Sequence, residues 1–404
     1  MNHIATMPRQ ASTLPLYWMA LGAFAIGTES LMIAALLPAL AVDLGVSLQA
    51  AGQLVTAFAL TYAVSSPLLT ILTGGLERRK LLIGCMVVFA IGNGLAAVAP
   101  TYGGLIAARI LLAAAAGLYV PNANAIASAL VAPERRGRAL AIVTGGLSLA
   151  VALGVPLGAL IGGHLGWRAT FAGVGVLACV ALVGLVWGVP RHVGAGLTTA
   201  GLRDRLAVIR HPGTLPALLV TLLWATGNFT VYTYLAVVLE QTAGIGPTGI
   251  GLVLFGWGCA AFAGLVAGGQ ATDRIGPQRV ITAMLPLVTI ALASLSLIAQ
   301  LLPPALAVAP VLVAVVVWGA AGWGFFPAQQ TRLIGLTGVR VASVILSLNA
   351  SFQYAGFALG AMLGACVLAV GPSTNLGWVG GACVAAAAAL DLMLARRRAR
   401  VAAP

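Results

Sequence analysis

"GGLERRKLLI" (residues 74–83) and "GGQATDRIGPQRVI" (residues 268–281) decide the architecture. Each opens on a pair of glycines, carries a short burst of charge, and separates two long apolar runs. Gly74 and Gly268 lie 194 residues apart in a chain of 404. A repeat at close to half the chain length points to two similar halves, and the apolar runs beside each copy indicate what the halves are made of.

The chain is 61% hydrophobic and only 7% charged, with a mean hydropathy of +1.05. Soluble domains carry about a quarter charged residues. A soluble fold cannot hide so much apolar surface, so the solvent is a bilayer, which a helix of about 20 apolar residues spans. Dividing the chain at charges, prolines and glycines predicts twelve spans. The first six run over 16–40, 50–73, 80–99, 104–131, 139–162 and 169–189. The second six run over 214–240, 249–271, 279–301, 307–331, 340–366 and 375–395. The expected fold is all-α and integral to the membrane, with twelve transmembrane helices in two pseudo-symmetric six-helix bundles. Residues 1–190 form the first bundle, 191–213 a cytoplasmic linker and 214–404 the second. Parallel repeats with a substrate path between them are a transporter architecture.

The basic residues support the count independently. Of 21 lysines and arginines, 19 sort to one side of this topology, leaving Arg168 on the other side and Arg109 within a span. Positive charge marks the cytoplasmic side, so both termini are expected there. Arg396, Arg397, Arg398 and Arg400 form a topology-fixing tail. The net charge of +13 does not indicate a nucleic-acid partner, because the basic residues form short clusters and no continuous patch. Cys85, Cys179, Cys259, Cys366 and Cys383 all fall in apolar runs and read as packing residues with no disulfide framework. The first 15 residues lack a cleavage signature, so no removable signal peptide is expected. No metal cluster, cofactor site, nucleophilic triad or nucleotide-binding G-x-x-x-x-G-K-[ST] is present. An enzyme is not expected, and the energy source must be an ion gradient or the gradient of the substrate itself.

Within "FAIGTESLMI" (24–33), Glu29 places an acid near the middle of the first span. An ionised carboxylate at that depth costs roughly 2.5 kcal/mol or more, and burial penalises its charged form. Three readings follow: a proton carrier, a binder of a cationic substrate, or a structural acid paired with a base. Arg109 is the natural partner, either in the transport cycle or as a hydrogen-bonded brace between helices.

Several motifs resemble a known family. "GGQATDRIGPQRV" is similar to the cytoplasmic loop signature of the major facilitator superfamily, with Asp273, Arg274 and Gly276 at its core positions. "AARILLAAAAGLYVPNA" (107–123) resembles that family's fourth-helix motif, with Arg109 at its arginine. "GGLSLAVALGVPLGALIGGHLGWR" (145–168) resembles the fifth-helix antiporter motif through Gly154, Pro156, Gly158 and Gly162. The opening spans resemble the drug and metabolite efflux branch, that of arabinose-, purine- and multidrug-type proton antiporters. "GGLERRKLL" departs from the pattern: it lacks the aspartate-arginine-x-glycine core, with Glu77 near the aspartate position. The resemblance therefore implies an inter-helix latch at 268–279.

Glycines at the spacing of the fifth span give a smooth face for close helix packing, and Pro156 kinks the helix. With the resemblance, these residues are expected to form a hinge or seal between the halves. Candidate substrate residues are the polar and aromatic side chains in apolar spans: Tyr62, Tyr119, Asn122, Trp224, Asn228, Tyr232, Asn349 and Gln353, with Asn124, Tyr234 and Tyr354 beside them. Tyr17 and Tyr102 read as interfacial anchors. The resemblance implies a monomeric bacterial inner-membrane exporter that exchanges a small organic substrate for protons, with Glu29 and Arg109 coupling the two. Uptake of a sugar or nucleoside and a non-transporting sensor are the alternative readings.

Overall fold

The computed structural model describes residues 13–132, 135–190, 202–338 and 341–402, with side chains at 202, 204–206, 247–248, 343 and 397–402 left aside. The N-terminal stretch with Arg9, most of the expected linker including Arg191, and Glu134 and Arg340 lie outside the described residues, as do the side chains of Arg397, Arg398 and Arg400.

Twelve helices are long and apolar enough to cross a membrane, and no strand occurs among the described residues. The first half comprises α1 (Leu14–Asp43), α2 (Leu48–Leu72), α3 (Arg78–Ala97), α4 (Tyr102–Ala129), α5 (Arg136–Leu149) with its continuation α6 (Val155–Leu165), and α7 (Trp167–Gly188). After the short α8 (Leu202–Arg210), the second half comprises α9 (Thr214–Tyr232) with its continuation α10 (Leu235–Ala243), α11 (Pro247–Ile275), α12 (Pro277–Leu301), α13 (Pro304–Thr337), α14 (Ala342–Val370) and α15 (Leu376–Ala402).

Local chemistry sets the boundaries. Ser47 and Thr101 cap α2 and α4 by accepting from the amides of Ala50 and Gly104, satisfying N–H groups that a helix start leaves free. Gly276 turns the chain between α11 and α12 at φ +84°, and Pro277 opens the next helix. The left-handed angle favours glycine, and a proline loses nothing at the first helical position. That pair explains why the second loop reads Gly-Pro.

Two spans are not the single helices that hydropathy predicts. The fifth contains a π-helical turn at Ala150–Gly154, directly before Pro156. Pro156 has no N–H to give to the turn behind it, and the wider turn accommodates the loss. The seventh breaks at Thr233–Tyr234 and resumes as α10. Part of the expected linker is helical: α8 lays Val208 against Leu333, Val344, Ile345 and Leu348, so this segment packs on the second half.

One end of the molecule carries Asp43 and Arg168; the other carries the basic loops at Arg78 and Arg274. At the first end Arg168 pairs with Asp43, which also accepts from the Trp167 indole at 3.0 Å. Of the cysteines, only Cys85 is fully buried, while Cys179, Cys259 and Cys366 face outward; the reading of all five as packing residues therefore holds for few of them.

Candidate functional site

Glu29 and Arg109 form an ion pair between α1 and α4, and neither side chain has any exposed surface. Arg109 also donates from Nε to the Leu54 carbonyl at 3.2 Å and from Nη1 to the Glu29 carbonyl at 3.3 Å. Its guanidinium lies 4.3 Å from the centre of the Phe58 ring. One arginine thus ties α4 to α1 and α2, replacing hydration with a counter-ion, two carbonyls and a ring face. Oε2 of Glu29 and Nη2 of Arg109 remain buried with no hydrogen-bond partner. In a low-dielectric interior an unmet charged valence is costly, which marks this pair as an unfinished site.

The residues following Glu29 touch the second half. The Ser30 hydroxyl lies 3.5 Å from the Tyr354 hydroxyl on α14, and the Tyr232 hydroxyl donates to the Leu31 carbonyl at 3.2 Å. Tyr354 stacks on Tyr62 of α2 with centroids 3.7 Å apart, and its ring is 6.4 Å from Phe58. The acid, its arginine, the ring beneath that arginine and the ring stack between the halves are therefore contiguous. Toward the Asp43 end, Gln49 donates to the Leu368 carbonyl at 3.1 Å, and Tyr234 fills the space left by Gly52 while donating to the Ala361 carbonyl at 3.1 Å.

The glycine face of the fifth span has a different partner from the one expected. A Cβ on Gly158 would lie 2.8 Å from that of Met32; Gly154 abuts Thr28, and Gly162 abuts Leu36. All three contacts are with α1, inside the first half, so the close-packed surface does not lie between the halves. The opposite face does reach the second half: a Cβ on Gly258 of α11 would meet the Val151 carbonyl and Ala152, and one on Gly251 would meet Leu160. Pro156 sits between, buried beside the π-turn. The kinked span is thus sandwiched between the helix that carries Glu29 and the second half.

The other candidates divide into two groups. Tyr119 donates to the Met19 carbonyl at 3.1 Å against Gly22, and Asn122 accepts from Arg78 at 2.8 Å; both are internal to the first half. Asn228 accepts from the Trp318 indole at 2.6 Å. Tyr232, Trp257 and Trp318 form an aromatic cluster, as do Trp224 with Phe325 and Phe229 with Phe357. The indole N–H groups of Trp224 and Trp257 are buried without partners. Asn349 accepts from Thr221 at 2.7 Å, and Gln353 stands one turn further along α14. Tyr102, expected as an interfacial anchor, donates to the Ala50 carbonyl at 2.6 Å.

The loop motifs are held by residues outside their core positions. Asp273 and Arg274 are exposed, and the tie from this loop is Gln278, which donates to Asp391 at 2.7 Å. In the first loop Arg78 is buried on Asn122, and Arg79 donates to the carbonyls of Val186 and Val189. An arginine reaching carbonyls at a helix C-terminus satisfies groups that the helix leaves open. Sequence reading missed Phe58, Ser30, Thr221 and Gln329. It also missed a second buried ion pair, Arg332 of α13 with Asp391 of α15. A groove of about 850 Å³ lies elsewhere, between α3 and α7; it is lined by Trp18, Gly94, Gly175, Val183, Gly184 and Trp187 and is almost wholly apolar. It offers no chemistry.

Comparison with known proteins agrees with this architecture. Residues 19–361 match the Major Facilitator Superfamily. The chain is 35% identical to a chloramphenicol resistance protein of Streptomyces lividans over 93% of its own length and 94% of that protein's. It is 34% identical to the inner membrane transport protein YdhP of Escherichia coli (strain K12), covering 95% and 96% of the two chains. Among solved structures it superposes on a bacterial homologue of the human lysosomal transporter Spinster with a TM-score of 0.75 and 16% identity, covering 96% of this chain and 98% of that one. That last likeness concerns the fold alone. Through these matches and its twelve apolar helices, the chain belongs to the Major Facilitator Superfamily of membrane transporters.

Proposed function

We propose that the protein is a proton-coupled exporter of a small organic compound, working by alternating access as a monomer in a bacterial inner membrane with both termini in the cytoplasm. The observation that carries this reading is the contiguity of Glu29 and Arg109 with the ring stack between the halves. Proton uptake by Glu29 removes the charge that holds Arg109. Arg109 is then held only by the carbonyls and the Phe58 ring, and the shift this allows passes through Phe58 and Ser30 to Tyr354. A change in charge thus acts on contacts made by the second half, which is what coupling requires. The contacts between the halves described above run from this central cluster to the Asp43 end, which favours a state open toward the basic, cytoplasmic end.

Several observations support the export direction and an organic substrate. The antiporter-type glycine face bears on α1, the helix that carries the acid. The residues gathered around the junction of the halves are aromatic rings and carboxamides, and the acid beside them, Glu29, is ion-paired with Arg109. Two similar proteins are named for chloramphenicol resistance and for inner-membrane transport. In this cycle Tyr62, Trp224, Asn228, Tyr232, Asn349 and Gln353 border the substrate, while Tyr119 and Asn122 brace the first bundle. Gly154, Pro156, Gly158 and Gly162 seal α1 against the kinked span. Asp273, Arg274 and Gly276 form the second cytoplasmic turn.

Proteoliposomes with an imposed pH gradient test the proposal. Substrate-dependent proton flux, with substrate and protons moving in opposite directions, is expected. Symport would replace export with uptake, and absence of flux across a panel of drugs, sugars, nucleosides and amino acids would favour a sensor. A single cysteine at Asp273 in a cysteine-free background should react with an impermeant reagent only from the cytoplasmic face.

A further inference from the structure

The second half holds a buried ion pair that the proposed cycle does not use. Arg332 pairs with Asp391, and Gln278 donates to the other carboxylate oxygen at 2.7 Å. A guanidinium only donates, and that fact sets the direction of the Gln329 hydrogen bonds that follow. Arg332 Nη2 donates to Gln329 Oε1 at 2.6 Å. With its oxygen so committed, Gln329 presents Nε2 to the Ala217 carbonyl at 2.7 Å and to Thr221 Oγ1 at 2.8 Å. Thr221 has a single hydroxyl hydrogen, which goes to Asn349 Oδ1 at 2.7 Å. An amide's two ends look alike in shape. In the structure the Thr221 hydrogen is given to Asn349 Oδ1, so its oxygen is turned inward and its Nδ2 away.

That Nδ2 group makes no hydrogen bond with any described residue, in a side chain only 1% exposed in this state. Asn122 is engaged by Arg78 and Asn228 by Trp318, while Asn124 of α4 has its Oδ1 buried without a partner. Gln353, one turn along α14, also has its amide free of protein partners, and it is followed by Tyr354 of the central stack. Asn349 and Gln353 thus place two carboxamides one turn apart on α14, and in Asn349 the end held by Thr221 is the oxygen.

We propose that Asn349 is an oriented hydrogen-bond donor in the substrate site, selecting compounds that carry an oxygen acceptor such as a carbonyl or nitro group. Arg332, Gln329 and Thr221 are positioning residues that transmit donor polarity from the Asp391 ion pair. The proposal rests on the reading that the substrate binds between the halves beside the aromatic clusters.

The test uses the full chain in lipid nanodiscs and two neutral probes of similar shape, 4-acetylbiphenyl and 4-ethylbiphenyl, which differ by one acceptor oxygen. Binding is read from tryptophan fluorescence, corrected with empty nanodiscs. The wild type should prefer the ketone by about fivefold, the effect of one neutral hydrogen bond. Thr221→Val removes the hydrogen that holds Asn349 without touching the ligand, and the preference should collapse toward parity. Thr221→Ser keeps the hydroxyl and should restore it. Asn349→Asp, which presents an acceptor, should make the ketone the weaker ligand. A wild-type preference surviving both Thr221→Val and Asn349→Asp overturns the proposal while leaving the site reading intact. Failure of the wild type to bind either probe overturns the site reading, and the proposal with it.

Discussion

Replacing Gly158 with leucine should damage the protein through one identifiable contact. The new Cβ would lie 2.8 Å from Met32 Cβ, 3.3 Å from its Sδ and 3.5 Å from its Cγ. The first distance is well inside carbon–carbon contact, and three further heavy atoms must follow it. Overpacking of this kind costs about 1–3 kcal/mol. Helix α1 must give way, and it carries Glu29 one turn from Met32, about 4.5 Å along the axis. The variant should therefore melt earlier than wild type and transport poorly per folded molecule. Gly163→Leu is the matched control, because a Cβ there meets nothing within 4 Å; it should behave like wild type. Met32→Ala should restore part of the lost stability in the Gly158→Leu background, since contacting residues couple. Thermal unfolding in detergent and transport at matched folded protein give the readouts. Equal behaviour of Gly158→Leu and Gly163→Leu would refute the packing argument.

Other perturbations follow from the same geometry. Asp391→Asn removes the carboxylate charge opposite the buried Arg332 and should cost about 3–5 kcal/mol, read as a loss of thermal stability, whereas Arg332→Met with Asp391→Leu should cost much less. Tyr354→Ala removes the stack with Tyr62 and the contact with Ser30; an aromatic pair contributes about 0.5–1.5 kcal/mol beyond its buried area. The population open toward the basic end should fall several-fold, measured as the labelling rate of a cysteine introduced at Thr144, which is exposed on α5 in this state, and an unchanged rate would remove Tyr354 from the proposed coupling path.

Much of the fold is readable in the sequence because a bilayer imposes a length and a charge rule. The twelve spans and the two halves follow from those constraints. The Glu29–Arg109 partnership was also readable, since Glu29 and Arg109 each stand as the only charge within their spans and each needs the other. Facing relations were not readable. Gly154, Gly158 and Gly162 announce a close-packed face, but nothing in their spacing says that α1 covers it. Asn122 and Tyr119 resemble Asn349 in sequence context, yet their partners are Arg78 and Met19 in the first bundle. Arg332 and Asp391 fall among topology-fixing charges near the ends of two spans. Opposite signs at matching depth were the one available clue that they pair. The π-turn before Pro156 was half legible: proline signals a kink, while its form depends on how the preceding turn widens. The break at Thr233–Tyr234 has no glycine or proline to announce it.

The central claim is that Glu29 carries the coupling proton, and Glu29→Gln in proteoliposomes tests it most directly. Glutamine keeps the size and hydrogen bonding of the protonated acid but cannot release a proton. The variant should still bind a neutral substrate and retain downhill exchange. It should lose accumulation driven by a pH gradient, and its transport should no longer vary with pH as the wild type's does. Loss of affinity confined to cationic substrates would instead make Glu29 a substrate ligand. A less stable variant with gradient-driven transport intact per folded molecule would make it a brace for Arg109. Full proton-driven accumulation of a neutral substrate by Glu29→Gln would contradict the account.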